Sequence, residues 1–224
     1  MLNICPGDEI GNHVRLKIEC RKAWEFKSPP GHLKKEVSQD KKLQAYIIGL
    51  ALGDGNLSNP NGRAVRLRIT CDKKYPKLYD YIFKKIQELL PNNKVSIVDR
   101  KTCIDISCYS NKWEDILGWK AKEGSKIKQK IIIPEWIKED VVYIKECLRG
   151  LFQTDGSIYK DREYLMVNFT GANKFLVEDV ALIMEKINFP TIVRRVVFKD
   201  KTKYVIRLSK DTDKFIKIIS LWKE

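Results

Sequence analysis

From Leu43 the apolar positions recur about every 3.6 residues, through Tyr46, Ile47 and Leu50, until Gly53-Asp54-Gly55 ends the run. That spacing predicts a helix with one buried stripe. Over residues 65–71 the period drops to two. Val65, Leu67 and Ile69 fall on one side and Arg66, Arg68 and Thr70 on the other, as in a half-buried strand. Residues 78–90 return to the helical period, with Leu78, Tyr81, Ile82, Ile86, Leu89 and Leu90 on one stripe and Pro91 as the stop. Residues 94–98 and 102–108 read as a hairpin around Asp99-Arg100-Lys101, and 112–119 as a short helix. A lysine-rich connector, 120–130, leads to Ile131-Ile132-Ile133-Pro134.

The same grammar then restarts. Residues 141–153 carry a helical stripe (Val142, Ile144, Leu148, Leu151, Phe152) that stops at Thr154-Asp155-Gly156. Residues 165–170 alternate, 175–187 are helical, 192–198 and 204–208 form a hairpin around Lys199-Asp200-Lys201, and 213–222 close as a helix. Gly49-Leu50 and Asp54-Gly55 recur as Gly150-Leu151 and Asp155-Gly156, both displaced by 150 − 49 = 155 − 54 = 101 positions. Two copies cannot build a solenoid, so a pseudo-twofold pair of halves is the expected geometry. Residues 1–40, rich in proline and glycine and with one short alternating run (Val14, Leu16, Ile18), read as an N-terminal extension. The two repeats are then expected over 41–130, connector included, and 131–224.

Composition narrows the partner. The 224 residues are 43% apolar, which excludes wholesale disorder. Lys and Arg number 43 against 29 Asp and Glu, a net charge of +14. Such a surplus points to a polyanion, nucleic acid first, with a ribosome-associated or merely lysine-rich soluble protein as the plainer reading. No apolar run is long enough to span a bilayer, and the N-terminus lacks the apolar core of a signal peptide, so an intracellular setting is expected: cytoplasm, nucleoid or an organelle. The six cysteines form no CxxC pair and read as small apolar residues. Cys5, His13, Cys20 and His32 fit no compact zinc-finger spacing.

The repeated motif poses a physical question. Gly49 and Gly53, and Gly150 and Thr154 after them, set small residues four apart on one helix face. Such a stripe lets two helix backbones approach closely, so the two helices are expected to form the seam between the halves. Each helix also ends in an acid, Asp54 or Asp155, at the negative end of its macrodipole. A single Asp-Gly turn is commonplace. Two symmetric copies bring two carboxylates to the foot of one seam, where they repel unless a divalent cation lies between them.

With these residues in view, the segments 45–57 and 148–158 resemble the two signature helices of the LAGLIDADG homing endonucleases in their monomeric, two-repeat form. The resemblance covers about residues 41–224. It implies an α+β fold, αββαββα in each half, whose two antiparallel sheets form a saddle over the major groove of DNA. It also implies an intron-encoded enzyme that cuts both strands of a long duplex target, pseudo-palindromic or asymmetric, across the minor groove with Mg²⁺ or Mn²⁺, leaving 3′ overhangs. Asp54 and Asp155 match the family's metal-binding acids, and the carbonyls of Gly53 and Thr154 its backbone ligands. Asp72 and Asn173 are the nearest polar candidates for a water-positioning role. Lys210 matches a basic active-site residue in the second repeat, and Lys112 does so loosely in the first.

The strand faces carry the same picture from the residues alone. The outward polar set is Arg66, Arg68, Thr70, Ser96, Arg100, Asp105 and Ser107 in the first half, and Arg162, Tyr164, Asn168, Arg195, Lys199, Lys203 and Arg207 in the second. Arg and Lys read guanine edges and Asn reads adenine; the same residues also suit a plain solvated face. Lys120, Lys122, Lys126, Lys128 and Lys130 are expected on phosphates. A non-cleaving nucleic-acid-binding relative, such as an intron maturase or transcription regulator, is the alternative function. An intein remnant is disfavoured by the initial Met and the missing C-terminal His-Asn.

Overall fold

Each half of the chain wraps one helix against a four-stranded antiparallel sheet, and the two halves meet along those helices. The structure, a computed structural model, describes residues 39–199 and 201–224. The N-terminal extension, with its expected strand and its cysteines and histidines, lies outside the described residues apart from Gln39 and Asp40. The first half runs α1 (Gln39–Leu52), β1 (Gly55–Ser58), β2 (Arg66–Asp72), α2 (Pro76–Leu89), β3 (Val95–Asp99), β4 (Cys103–Tyr109) and α3 (Trp113–Leu117). The second runs α4 (Glu135–Lys138), α5 (Val141–Thr154), β5 (Gly156–Asp161), β6 (Tyr164–Gly171), α6 (Lys174–Lys186), β7 (Val193–Phe198), β8 (Lys201–Leu208) and α7 (Thr212–Ile218). The sheet orders are β1-β2-β4-β3 and β5-β6-β8-β7, so the topology repeats.

Local chemistry sets the element ends. Asp140 caps α5 by accepting from Val142 N at 2.8 Å, and Asn173 caps α6 by accepting from Phe175 N at 3.2 Å. Pro76 opens α2, where its missing N–H leaves no gap in the helix. Gly118, at φ 83°, ends α3 in the left-handed conformation. The alternating positions of β2 divide as their pattern requires: Leu67 and Ile69 are buried while Arg66, Arg68 and Thr70 are partly open. Met166 departs from the pattern, being buried on the polar side of β6. The residue pattern did not single out β1 or β5. Each begins at the glycine after the helix-end acid and pairs along one side only, so too few positions alternate between core and solvent to leave a period.

Two straps tie the halves together. The connector after α3 crosses to α6, where Ile131 O accepts from Asn173 Nδ2 at 2.6 Å and Ile133 N donates to Asp179 at 2.9 Å. Buried Lys138 pairs with the same Asp179 at 2.7 Å. The segment after α7 crosses in the opposite sense to α2. There Leu78 N donates to Glu224 O at 2.9 Å, and the Trp222 ring packs edge-on against Tyr81 at 5.4 Å.

Candidate active site and nucleic-acid face

The seam is as close as backbone allows. A Cβ on Gly49 would overlap the carbonyl oxygen of Cys147, and one on Gly150 would overlap that of Tyr46 and lie 2.7 Å from Leu50 N. A Cβ on Gly53 would run into the Thr154 side chain, 3.4 Å from the carboxyl carbon of Asp155. These glycines are therefore steric necessities. Only contacts shorter than any side chain permits bring the two helix feet, and their acids, together. Beside the seam, Tyr46 of α1 donates to Gln153 of α5 at 2.7 Å, and Gln153 donates on to Trp222 O at 3.2 Å. These buried polar links fix the helices' register.

Two lysines meet the two acids. Lys126 Nζ donates to the carbonyls of Ala51 (3.0 Å), Leu52 (2.7 Å) and Gly53, the open end of α1. Lys223 Nζ donates to Gly156 O and, at 3.4 Å, to Thr154 O at the end of α5. An ammonium at each C-terminus satisfies carbonyls that a helix leaves unpaired and offsets the dipole that disfavours Asp54 and Asp155. Burial raises the Asp155 pKa, with a further rise from Asp54, to about 6 against the pull of Lys126 and Lys223. Asp54, the more exposed of the two, is also raised by burial and held back by both lysines. Burial lowers the pKa of both lysines, and the two acids oppose that shift. The four groups thus form one mutually compensating set. A cavity of about 160 Å³ opens beside Asp155, lined among others by Gly53, Lys126, Ile131 and Asn173.

The donor set suits a hard divalent cation. Two carboxylates at the seam and the carbonyl oxygens of Gly53 and Thr154, each with a second lone pair beside its lysine, are oxygen ligands of the kind Mg²⁺ or Mn²⁺ takes. Among the described residues no cluster of three or more His, Cys, Asp or Glu forms another metal site.

The comparisons with known proteins divide along the same two halves. Residues 43–117 match the family model described as the WhiA LAGLIDADG-like domain, and residues 143–220 match that described as the LAGLIDADG-like domain. The chain has the two-repeat LAGLIDADG fold. The homing endonuclease I-DmoI in complex with DNA and Mn superposes on it with a TM-score of 0.62 and 20% identity, over 80% of this chain and 97% of that one. The N-terminal LAGLIDADG domain of DUF199/WhiA superposes with a TM-score of 0.55 and 16% identity, over 83% and 86%. In sequence, a tRNA-splicing ligase RtcB of Methanopyrus kandleri is 26% identical over 194 residues, 73% of this chain. The chain spans only 19% of that relative's length.

Against this LAGLIDADG frame the expected site residues sort themselves. Asp54, Asp155, Gly53 and Thr154 come together at the seam's foot. Lys210 does not join them: it is exposed beyond β8, and the cations acting on the acids are Lys126 and Lys223. Lys112 is likewise exposed. Lys126, expected on phosphate, is instead partly buried on α1. No local signal marks Lys126 or Lys223 for this role. Trp119-Lys120 and Trp222-Lys223 look equivalent, but Lys120 is exposed and pairs with Glu114 at 3.3 Å. The connector travels further before it returns to the seam. Asn173 spends both ends of its amide on the α6 cap and Ile131. Asp72 is exposed and accepts from the Lys74 backbone N–H at 3.0 Å and from its ammonium at 2.9 Å, which together lower its pKa.

On the sheets, the register puts Arg66, Arg68, Thr70, Ser96 and Ser107 on one face, with Asn168, Lys203, Arg207 and Tyr164 on the matching face of the second half. Arg162 and Lys199 lie exposed in the hairpin turns of that half. Two expected contacts are corrected. Arg195 pairs with Tyr204 and so shares the opposite face with Phe169 and Ile206; its neighbour Arg194, opposite Val205, takes the saddle face. Two successive arginines in Val193-Arg194-Arg195-Val196 left the parity open, and a shift of one residue reverses the face. Asp105 lies on the saddle face but is buried, accepting from Thr70 at 2.7 Å and from Arg100. It is covered by its partners, not presented to a ligand.

Proposed function

We propose that this LAGLIDADG protein is a site-specific endonuclease that hydrolyses both strands of duplex DNA with a divalent cation held by Asp54 and Asp155. One observation carries the reading: the glycine-tight seam delivers two carboxylates to one point and supplies each with a lysine. Two partly desolvated acids side by side at the wrong end of their helices weaken the fold, and such a pairing is expected where chemistry requires it. The likeness to I-DmoI bound to DNA and Mn supports the same reading. A bound Mg²⁺ or Mn²⁺ would neutralise the acids, polarise the phosphate and activate water. The chain's own groups do the rest. The saddle's arginines and lysines hold the duplex. Lys126 and Lys223 supply positive charge where the scissile phosphates gain negative charge, each tethered to one helix end. The match of residues 43–117 to the WhiA model favours a second reading, a nucleic-acid-binding protein that does not cleave.

Purified full-length protein with Mg²⁺, challenged with a plasmid library of candidate intron-insertion sites, tests the choice. Linearisation at one defined site, abolished by EDTA, is expected. Binding without cleavage of any member in Mg²⁺ or Mn²⁺ would establish the second reading instead.

A further inference from the structure

The most heavily bonded side chain of the saddle faces is Asp105. Its carboxylate, 3% exposed, sits mid-face on β4 opposite Thr70 and Val98. It accepts from Thr70 Oγ1 at 2.7 Å and from Arg100 Nε, and Arg68 Nη1 stands 3.9 Å away. These partners hold its pKa below the usual range in spite of burial. One carboxylate beneath two guanidiniums leaves a local charge of about +1 facing the ligand side. Arg100 is anchored through Nε, so the edge bearing its two terminal nitrogens stays open, and its side chain is 53% exposed. Arg68 Nε is buried with no hydrogen-bond partner. An anchored guanidinium presenting its fork is the geometry that reads O6 and N7 of guanine, and anchoring removes rotamer entropy that binding would otherwise lose.

The second half has no buried carboxylate at the corresponding point; its Arg207 pairs instead with the exposed Asp161 at the strand end, at 2.7 Å. Val205 stands opposite Thr170 where Asp105 stands opposite Thr70, and Asn168 takes the place of Arg68, opposite Arg207 instead of Ser107. Asn168 donates to Tyr159 at 2.9 Å.

We propose that Asp105 is a positioning residue that presets Arg100 and Arg68 to read guanine in the half-site facing the first sheet. The target is then guanine-marked on that side and asymmetric overall. The proposal rests on the reading that the saddle binds duplex DNA.

The test is selection of full-length protein on a randomised duplex library without divalent cation, with the bound fraction sequenced, so that cutting does not enter. The wild type is expected to require one or two guanines in one half-site. Asp105→Asn relaxes those positions about tenfold and leaves preferences in the other half-site in place. Arg100→Lys, an exposed change that keeps the charge and loses the fork, relaxes one of them even if the Asp105 variant folds poorly. A wild-type half-site with no guanine overturns the proposal. So does an Asp105→Asn effect spread evenly over all positions, or a guanine preference that survives Arg100→Lys. A wild type that enriches no sequence overturns the DNA-target reading with it.

Discussion

At the foot of α1, Lys126 closes the carbonyls of Ala51, Leu52 and Gly53; at the foot of α5, Lys223 closes those of Thr154 and Gly156. The two halves agree there in plan, one ammonium at each helix end, and share the carbonyl just before the acid, Gly53 O or Thr154 O, as an acceptor, although the lysines arrive by straps of different length and their remaining acceptors differ. On the sheets the halves part. The first sets Asp105 beneath arginines at the centre of its face, while the second places Val205 there, leaves Arg194 and Lys203 exposed and pairs Arg207 with Asp161 at the strand end. What is shared is what two backbones and two like charges demand at contact distance. What differs is what a surface can vary without disturbing the core.

The largest effects should break the symmetric part. Asp54→Asn or Asp155→Asn should cut double-strand cleavage by about a thousandfold or more, with duplex binding largely kept, because the site loses an acid and the saddle loses no charge. A cleavage assay beside a binding titration checks both halves of the statement. Gly150→Leu should destabilise by about 3 kcal/mol, since the added side chain meets the backbone of Tyr46 and Leu50. Helix propensity would predict the opposite sign, by up to about 1 kcal/mol. A drop of about 10 °C in Tm is expected, and an unchanged melt would show that the helices do not touch at this point.

Smaller effects sharpen the comparison. Lys126→Met and Lys223→Met should each slow cleavage by about a hundredfold. If the halves work as equivalents, the two variants should accumulate plasmids nicked in opposite strands. Asp155 gives a pH signature. Its folded pKa, about 6, lies above the ordinary 3.8, so the folded state binds the proton more tightly than the unfolded one. Its favourable contribution is complete below about pH 4 and lost as pH rises through about 6. Asp155→Asn should therefore raise stability at pH 7 by on the order of 2 kcal/mol and little at pH 4; melts at the two pH values decide it. The smallest contrast lies within one strand. Arg194→Ala should weaken DNA binding several-fold and lower the salt slope by about one. Arg195→Ala, on the opposite face, should change affinity about twofold at most.

Much of this molecule was legible in its residue order. Periods of 3.6 and 2 are imposed by burying one side of a helix or strand, so α1, β2, α2, α5, β6 and α6 are written locally. The glycines and the two helix-end acids stood out because each repeats across 101 positions and each breaks a local preference. The two lysines that reach the helix ends did not stand out among 43 basic residues. Nothing in a lysine's own neighbourhood distinguishes one that solvates a strap from one that reaches a helix end. That choice depends on where the connector and the segment after α7 cross the seam, and so on packing between residues far apart in the chain, such as Trp222 on Tyr81 and Ile131 on Asn173. Strand parity at Arg194 and Arg195, and the burial of Asp105 under Arg68 and Arg100, were likewise decided by pairing across the sheet. Local sequence determined which faces are apolar and which acids are misplaced. Only the tertiary structure decided which charges compensate them, because a long side chain's partner is set by geometry beyond its own turn of chain.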